Sequence, residues 1–214
     1  MVKLALFDFD GTLADSFPVF VGHLDEAARR FGFRRLGADE VERLRGLESR
    51  AILRELGIQP WKMPAIAAWM RGRMAEERAR ISLFPGIAAA IERLHAAGVG
   101  LGIVSSNDAA TIRGVLGEAH ARRFSHLECG ASLFGKATRL RRAIRAGGVA
   151  PDEAIYVGDE IRDAEAARAA GVAFGAVGWG YARRDALRAC APAALFATTD
   201  ELVATLLGGH PRPR

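Results

Sequence analysis

The feature that most constrains this chain is a regular alternation of short apolar segments with helical segments of about 10–15 residues. The apolar segments VKLALFD, VGLGIV, EAIYV and VAFGAV are too short for helices, and their uninterrupted hydrophobicity is typical of buried strands. Helical stretches near 86–97, 108–117, 136–146 and 161–170 lie between or beside them. Strands that alternate with helices are joined by right-handed crossovers. The sequence therefore predicts an α/β fold whose Rossmann-like core is a doubly wound, mostly parallel sheet.

A long helical segment interrupts this alternation directly after the first strand. Residues 16–80 contain helical stretches near 17–31, 38–45, 48–56 and 64–80, and no segment with a strand pattern. We therefore predict an inserted α-helical cap over 16–80, with the α/β core split into 1–15 and 81–214. Trp61, Trp69 and Met70 fall at helical spacing, and we expect them to pack in the cap core.

The composition excludes several classes of protein. With 214 residues, half of them hydrophobic, the chain can bury a core and does not resemble a disordered protein. No apolar run reaches the 18–20 residues or so that a membrane span needs. Two cysteines cannot build a disulfide framework, and the N-terminal residues are acidic where a signal peptide needs small residues. We expect a cytoplasmic protein with no membrane partner.

Most of the net charge of +5 lies in the predicted cap. Residues 16–84 hold 13 basic and 9 acidic residues, whereas the rest of the chain holds 17 and 16. Because no basic stripe with interleaved aromatic residues is present, we expect no nucleic-acid partner. A positive cap favours an anionic substrate, and Arg45 and Arg50 are candidates for binding a carboxylate or second anionic group. A solvated basic face is the alternative.

Polar residues follow the ends of three predicted strands. Ligands bind beyond the carboxyl ends of strands in an open parallel sheet, so we expect these side chains to meet at one edge. After the first strand come Asp8 and Asp10, with Gly11, Thr12 and Asp15 behind them, and after the second come Ser105, Ser106 and Asn107. After the third come Gly158, Asp159, Glu160 and Asp163, and Lys136 begins an intervening helix.

Three of these carboxylates predict a metal site. Asp8 and Asp10 are two residues apart in an extended segment, so their side chains point the same way. Together with Asp159 they would repel one another unless a cation lies between them. An oxygen-only donor set suits Mg²⁺. A carboxylate beside Mg²⁺ can attack phosphorus, and a second can act as acid and base.

Four segments carry a family resemblance. DFDGTLADS, the strand that ends in Ser105, Lys136 and GDEIRDAEAARAAG resemble the four motifs of the haloacid dehalogenase-like hydrolase superfamily. The chain is most similar to its phosphoglycolate-phosphatase-like branch, which has a helical cap after the first motif. The resemblance implies a Mg²⁺-dependent phosphatase that acts on a small phosphorylated metabolite, as a monomer or homodimer.

The resemblance also implies a role for each residue. Asp8 would be the nucleophile and a metal ligand, and Asp10 would be the acid/base and would give a backbone carbonyl to the metal. Asp159 would be the third ligand, and Lys136 would pair with nucleophile and phosphate. Ser105 and the Ser106 amide would bind phosphate. Asp163 would orient metal-bound water or Lys136, and Glu160 would act beside it, less directly. The segment after Lys136 lacks the usual proline, which leaves Arg139 as an alternative cation.

Three other functions remain possible at this stage. A phosphomutase would return the phosphoryl group to the substrate, and a dehalogenase would have no use for Asp10 or a metal. A catalytically silent scaffold could keep the fold. The release of phosphate, of a phosphorylated isomer or of halide separates these functions.

Overall fold

The computed structural model describes residues 2–130 and 135–208, and a six-stranded parallel sheet forms its centre. The strands are β1 (Leu4–Phe7), β2 (Ala14–Asp15), β3 (Ser82–Leu83), β4 (Gly100–Val104), β5 (Phe124–Glu128), β6 (Ala154–Gly158), β7 (Ala173–Val177) and β8 (Ala194–Phe196). The central sheet has the order β5-β4-β1-β6-β7-β8, and all its neighbouring strands are parallel.

Strand β1 lies at the middle of this sheet, and its position fixes the place of the first motif. Its four residues are buried and pair in register with Gly100–Ile103 of β4 and Ala154–Val157 of β6. The backbone amide of Asp8 continues the ladder by donating to the carbonyl of Val157 at 2.8 Å. The residues after β1, β4 and β6 therefore emerge side by side at the carboxyl edge.

Helices cover both faces of the sheet. They are α1 (Phe17–Phe31), α2 (Ala38–Leu44), α3 (Ser49–Glu55), α4 (Met63–Glu76), α5 (Ile87–Ala96), α6 (Ala109–Ala121), α7 (Lys136–Ala146), α8 (Ile161–Ala170), α9 (Arg184–Ala189) and α10 (Thr199–Gly208). Helices α5, α6 and α10 bury apolar side chains in one core cluster, and α7, α8 and α9 bury theirs in another. The predicted doubly wound α/β fold is confirmed.

Helices α1 to α4 follow β1 and β2 and form a third apolar cluster of their own. Its buried members are Ala27, Leu44, Leu56, Ile58, Ile66 and Met70, with Trp69 packed at its edge. Strands β2 and β3 form a short antiparallel ribbon where this helical segment leaves and rejoins the core. The exact division at residues 15/16 and 80/81 stays a prediction.

Three sequence expectations need correction or addition. Trp61 does not pack in the cap core, because its side chain is 73% exposed in a 3₁₀ turn before α4. The helix expected over 64–80 ends at Glu76 and is followed by a separate 3₁₀ turn. The periodicity also missed α9, which is only six residues long. Within the described residues, no helix combines the length and hydrophobicity that crossing a membrane requires.

Gly102 in the central sheet provides a test of the packing there, and Gly72 in a cap helix provides the comparison. A Cβ atom at Gly102 in β4 would lie 2.6 Å from Leu6 Cδ2 and 3.2 Å from His126 Cβ, whereas one at Gly72 in α4 meets nothing within 4 Å. We expect Gly102→Ala to lower the free energy of unfolding by about 1–3 kcal/mol through overpacking. Gly72→Ala should raise it by about 0.5–1 kcal/mol, because alanine favours a helix interior. Chemical denaturation measures both, and a Gly102→Ala protein as stable as the parent would contradict this packing.

Candidate active site

Asp8 and Lys136 form an ion pair at the carboxyl edge of the sheet. Asp8 is the residue directly after β1, and its Oδ1 accepts from the amide of Phe9 at 2.7 Å. Lys136 begins α7, and its Nζ donates to Asp8 Oδ2 and to Asp163 Oδ1, each at 2.6 Å. Because Lys136 is only 7% exposed, this ammonium group is committed to the two carboxylates. Arg139, the alternative cation, donates instead to the carbonyl of Cys129 at 2.7 Å.

Asp163 is held by donors on every side. It lies in the first turn of α8, and its Oδ2 accepts from the amides of Asp159 and Glu160 at 3.1 and 3.0 Å. Its Oδ1 accepts from Lys136 and also from the hydroxyl of Tyr156 at 3.3 Å. With both oxygens engaged in this way, Asp163 is suited to orienting Lys136 and the loop that follows β6.

Asp159 follows β6 and is completely buried. Its Oδ1 accepts from the hydroxyl of Thr12 at 2.6 Å, and its Oδ2 accepts from the amide of Tyr181 at 2.7 Å. Gly11 and Gly180 lie against it, because a Cβ at either position would come within 2.5 Å of Asp159 atoms. Two polar donors and two glycines therefore set the orientation of this carboxylate.

Asp10 and Ser105 are linked through Asn107. The Nδ2 of Asn107 donates to Asp10 Oδ2 at 3.0 Å, and its backbone amide donates to Ser105 Oγ at 3.2 Å. Asp10 Oδ1 is buried and has no hydrogen-bond partner among the described residues. Ser106 follows in the same loop and is half-buried. The loop after β4 thus brings Ser105 and Ser106 to the edge at which Asp10 lies.

The remaining expected site residues lie further out. Glu160 forms an ion pair with Arg162 on the first turn of α8. Arg45 does not present a free guanidinium: its Nε and Nη2 donate to the carbonyls of Tyr181 and Gly180, and its Nη1 contacts Glu42. Arg50 is exposed and has no ion-pair partner within the described part of the chain.

Burial and mutual repulsion shape the ionisation of these carboxyls. Burial, with the charges of Glu160, Asp163 and Asp8, raises the pKa of Asp159 well above its usual range. Burial and the charge of Asp8 raise the pKa of Asp10 to about 6, although the Ser16 hydroxyl and the Asn107 amide oppose this. Because the pKa values of Asp10 and Asp159 are raised, positive charge nearby would be required to keep both carboxyls ionised.

Lys136 supplies one positive charge, which contacts Asp8 and Asp163. Burial alone would lower its pKa, but the charges of Asp163 and Asp8 outweigh burial and raise it, so the ammonium stays charged. In turn, the positive charge of Lys136 lowers the pKa of Asp163 despite the burial of that carboxyl. Arg162 contributes a second cation, and its buried Nε lacks a partner among the described residues.

The donor set fits a hard divalent cation. One oxygen from each of Asp8, Asp159 and Asp163 lies within 4.8 Å of the others, and all three residues are buried. Asp8 and Asp159 each accept one hydrogen bond per oxygen, which leaves a lone pair on every oxygen for a metal. Asp163 is the most saturated of the three. Carboxylate oxygens without sulfur or nitrogen favour Mg²⁺ over zinc.

Of the residues around these carboxylates, Tyr181 and Gly180 were not predicted from the sequence. Asn107, Thr12 and Tyr181 bind the carboxylates directly, and Gly11 and Gly180 allow the backbone to approach Asp159. A signal for Gly180 and Tyr181 was present. The stretch GWGYA follows β7, so the strand-end rule that selected Asp159 applies equally to it.

Removal of the Lys136 ammonium should uncover the repulsion that it offsets. We expect Lys136→Met to lower the free energy of unfolding by about 3–5 kcal/mol without added metal, because two buried carboxylates lose their cation. Saturating Mg²⁺ should recover part of this loss. Lys3→Met is the control, since Lys3 pairs with Glu153 on the surface and should change stability little. Denaturation with and without Mg²⁺ measures both variants, and equal effects would contradict the assignment.

Comparison with known proteins supports the same family from three directions. The model of a family described as haloacid dehalogenase-like hydrolase matches residues 5–177. Phosphoglycolate phosphatase of Synechococcus elongatus is 34% identical over 203 residues, which cover 94% of this chain and 96% of that protein. Tyrosine-protein kinase PtkA of Mycobacterium tuberculosis is 31% identical over 187 residues, but these span only 64% of its length.

A solved structure extends the likeness to the fold. A haloacid dehalogenase-like hydrolase from Streptococcus pneumoniae superimposes with a TM-score of 0.78 at 21% identity, covering 95% of this chain and 97% of that one. The resemblance stated from the four motifs is therefore confirmed. The chain belongs to the haloacid dehalogenase-like hydrolase family, in its phosphoglycolate-phosphatase-like branch, and is a phosphoric monoester hydrolase.

Proposed function

We propose that this protein is a Mg²⁺-dependent phosphatase that hydrolyses a small phosphate monoester through a phosphorylated Asp8. The observation that carries the proposal is the buried cluster in which Asp8, Asp159 and Asp163 approach within 4.8 Å, with Lys136 Nζ at 2.6 Å from Asp8. Such a cluster holds a nucleophilic carboxylate and a cation site together at one edge of the sheet.

The nucleophile is held in place before substrate arrives. The Phe9 amide and Lys136 fix the two oxygens of Asp8, so the carboxylate cannot rotate freely. In the first step a bond forms between an Asp8 oxygen and phosphorus while the bond to the ester oxygen breaks. In the second step water oxygen bonds to phosphorus, the bond to Asp8 breaks, and inorganic phosphate leaves.

Asp10 moves the protons in both steps. It protonates the departing ester oxygen, and it then takes a proton from the attacking water. Its raised pKa of about 6 keeps a useful fraction protonated near neutral pH, and Asn107 holds its carboxyl by one oxygen. The other oxygen, Oδ1, has no partner among the described residues and is the one suited to exchange the proton.

Ser105 and Lys136 bind the transferring group. The Ser105 hydroxyl accepts the Asn107 amide, which leaves its own hydrogen to donate to a phosphate oxygen, and the Ser106 amide can assist. Asp8, Asp159 and the carbonyl of Asp10 would hold Mg²⁺, which would supply positive charge to the phosphoryl oxygens. Asp163 keeps Lys136 directed at Asp8, and Glu160 restrains Arg162 beside it.

The cap selects the substrate. Its excess positive charge and the exposed Arg50 suit an ester that carries a second anionic group, and the similar Synechococcus protein is named for phosphoglycolate, a phosphorylated carboxylic acid. We therefore propose a small phosphorylated carboxylic acid as the substrate class, and a cytoplasmic monomer or homodimer without nucleic-acid or membrane partners. Arg45 would join this binding only after leaving its present contacts.

Replacement of the nucleophile should stop turnover and keep the fold. We expect Asp8→Asn to lower kcat by on the order of 10⁴-fold or more, because an amide does not attack phosphorus. Asp152→Asn is the matched control and should behave as the parent. Asp152 lies just before β6, at the amino end of that strand and so opposite the site. Phosphate release measures both, and a normal rate in Asp8→Asn would refute the assignment of the nucleophile.

A panel of phosphorylated metabolites separates this function from its alternatives. We expect phosphate release with Mg²⁺ and its loss on addition of EDTA, with phosphorylated carboxylic acids such as phosphoglycolate among the best substrates. A phosphorylated isomer would indicate a mutase, and phosphorylated tyrosine on a protein acceptor would indicate the activity for which PtkA is named. Absence of any reaction across the panel would indicate a silent scaffold.

A further inference from the structure

Arg45 joins the helical cap to the loop that follows β7. Its guanidinium donates through Nε to the carbonyl of Tyr181 and through Nη2 to that of Gly180, both at 2.8 Å. Its own backbone carbonyl accepts from the amide of Arg183 at 3.0 Å. The guanidinium also lies over the ring of Phe17, 4.7 Å from the centroid. One cap residue thus forms hydrogen bonds with three positions of a core loop, Gly180, Tyr181 and Arg183.

The loop that Arg45 contacts, Gly180–Ala182, also forms hydrogen bonds with Asp159. The Tyr181 amide donates to Asp159 Oδ2 at 2.7 Å, and the Ala182 amide donates to the Asp159 backbone carbonyl at 3.2 Å. A Cβ at Gly180 would lie 2.3 Å from Asp159 Cβ, so the loop backbone packs directly on that residue. A shift of the loop therefore cannot leave the Asp159 carboxylate where it is.

The cap reinforces the same loop through Tyr181. The Tyr181 ring packs against Phe17 and Phe20 of α1 with centroid distances of 4.9 and 5.5 Å, and its hydroxyl is 3.0 Å from Ser16 Oγ. These contacts all come from the start of the cap. The peptide units of Gly180 and Tyr181 thus lie between a cap guanidinium on one side and a core carboxylate on the other.

We infer that Arg45 is a positioning residue that couples the cap to the metal ligand Asp159, through the loop Gly180–Ala182. When the cap lies as it does in this structure, Arg45 holds the two carbonyls and fixes the amide that orients Asp159. When the cap moves away, these bonds break and the loop loosens its hold on the carboxylate. This inference rests on the proposed Mg²⁺ site, and it assigns Arg45 a role other than substrate binding.

The geometry requires arginine and not merely positive charge. Two carbonyl oxygens on adjacent residues receive two N–H groups of one planar guanidinium, an arrangement that a lysine ammonium cannot reproduce. Arg45→Met keeps the aliphatic stem over Phe17 and removes every donor. Arg45→Lys keeps the charge. Arg54→Met removes a charge from an exposed position on the neighbouring cap helix α3 and serves as the matched control.

The first measurement is amide hydrogen exchange in the metal-free protein. In Arg45→Met we expect the amides of Tyr181, Ala182 and Arg183 to exchange faster by about tenfold or more, because the loop has lost two charge-assisted bonds. Protection elsewhere in the sheet should be unchanged, as it should be throughout Arg54→Met. Unchanged protection of these three amides would overturn the inference, as would a general loss of protection across the cap.

The second measurement is calorimetric titration with Mg²⁺ alone. We expect the Kd to rise by about tenfold in Arg45→Met and to stay raised in Arg45→Lys, as is usual when the support of a metal ligand is removed. A parental Kd in Arg45→Met, or full recovery in Arg45→Lys, would overturn the coupling. If the parent protein itself bound no Mg²⁺, the proposed function and the metal part of this inference would both fail, whereas the exchange result would still judge the loop contact.

Discussion

The structure depends on how it compensates acidic side chains that are buried close together at the end of the central strands. Asp8, Asp159 and Asp163 share a small volume with little access to water, and the Lys136 ammonium lies between Asp8 and Asp163. Buried carboxylates without partners are costly, so such a site favours a further cation. The fold accepts this cost because the same groups supply a nucleophile and a place for Mg²⁺.

The site also shows how the backbone is used to fix side chains. Asp159 is oriented by the Thr12 hydroxyl and the Tyr181 amide, and its neighbours Gly11 and Gly180 have no room for a Cβ. At Gly11 the φ angle of 75° adds a second reason for glycine. Loops from three strands therefore close tightly around one carboxylate, and the cap touches that assembly through Arg45.

Much of this arrangement was accessible from the sequence. Apolar runs with intervening helical periods predicted the parallel sheet, and the strand-end rule predicted that Asp8, Ser105 and Asp159 would meet. Short elements such as α9 and the β2–β3 ribbon were missed because they hold too few residues for a period. The contact of Arg45 with the loop after β7 could not be found, because it joins positions about 135 residues apart and uses backbone carbonyls.

We propose above all that Asp8 and Asp159 bind one divalent ion between them. A crystal structure with Mn²⁺ in place of Mg²⁺, analysed by anomalous diffraction, tests it directly, because the signal identifies the ion independently of water. We expect a single strong peak within coordination distance of both carboxylates, beside the carbonyl of Asp10. Absence of a peak there in crystals with ample Mn²⁺, or a peak bound to only one of the two aspartates, would contradict it.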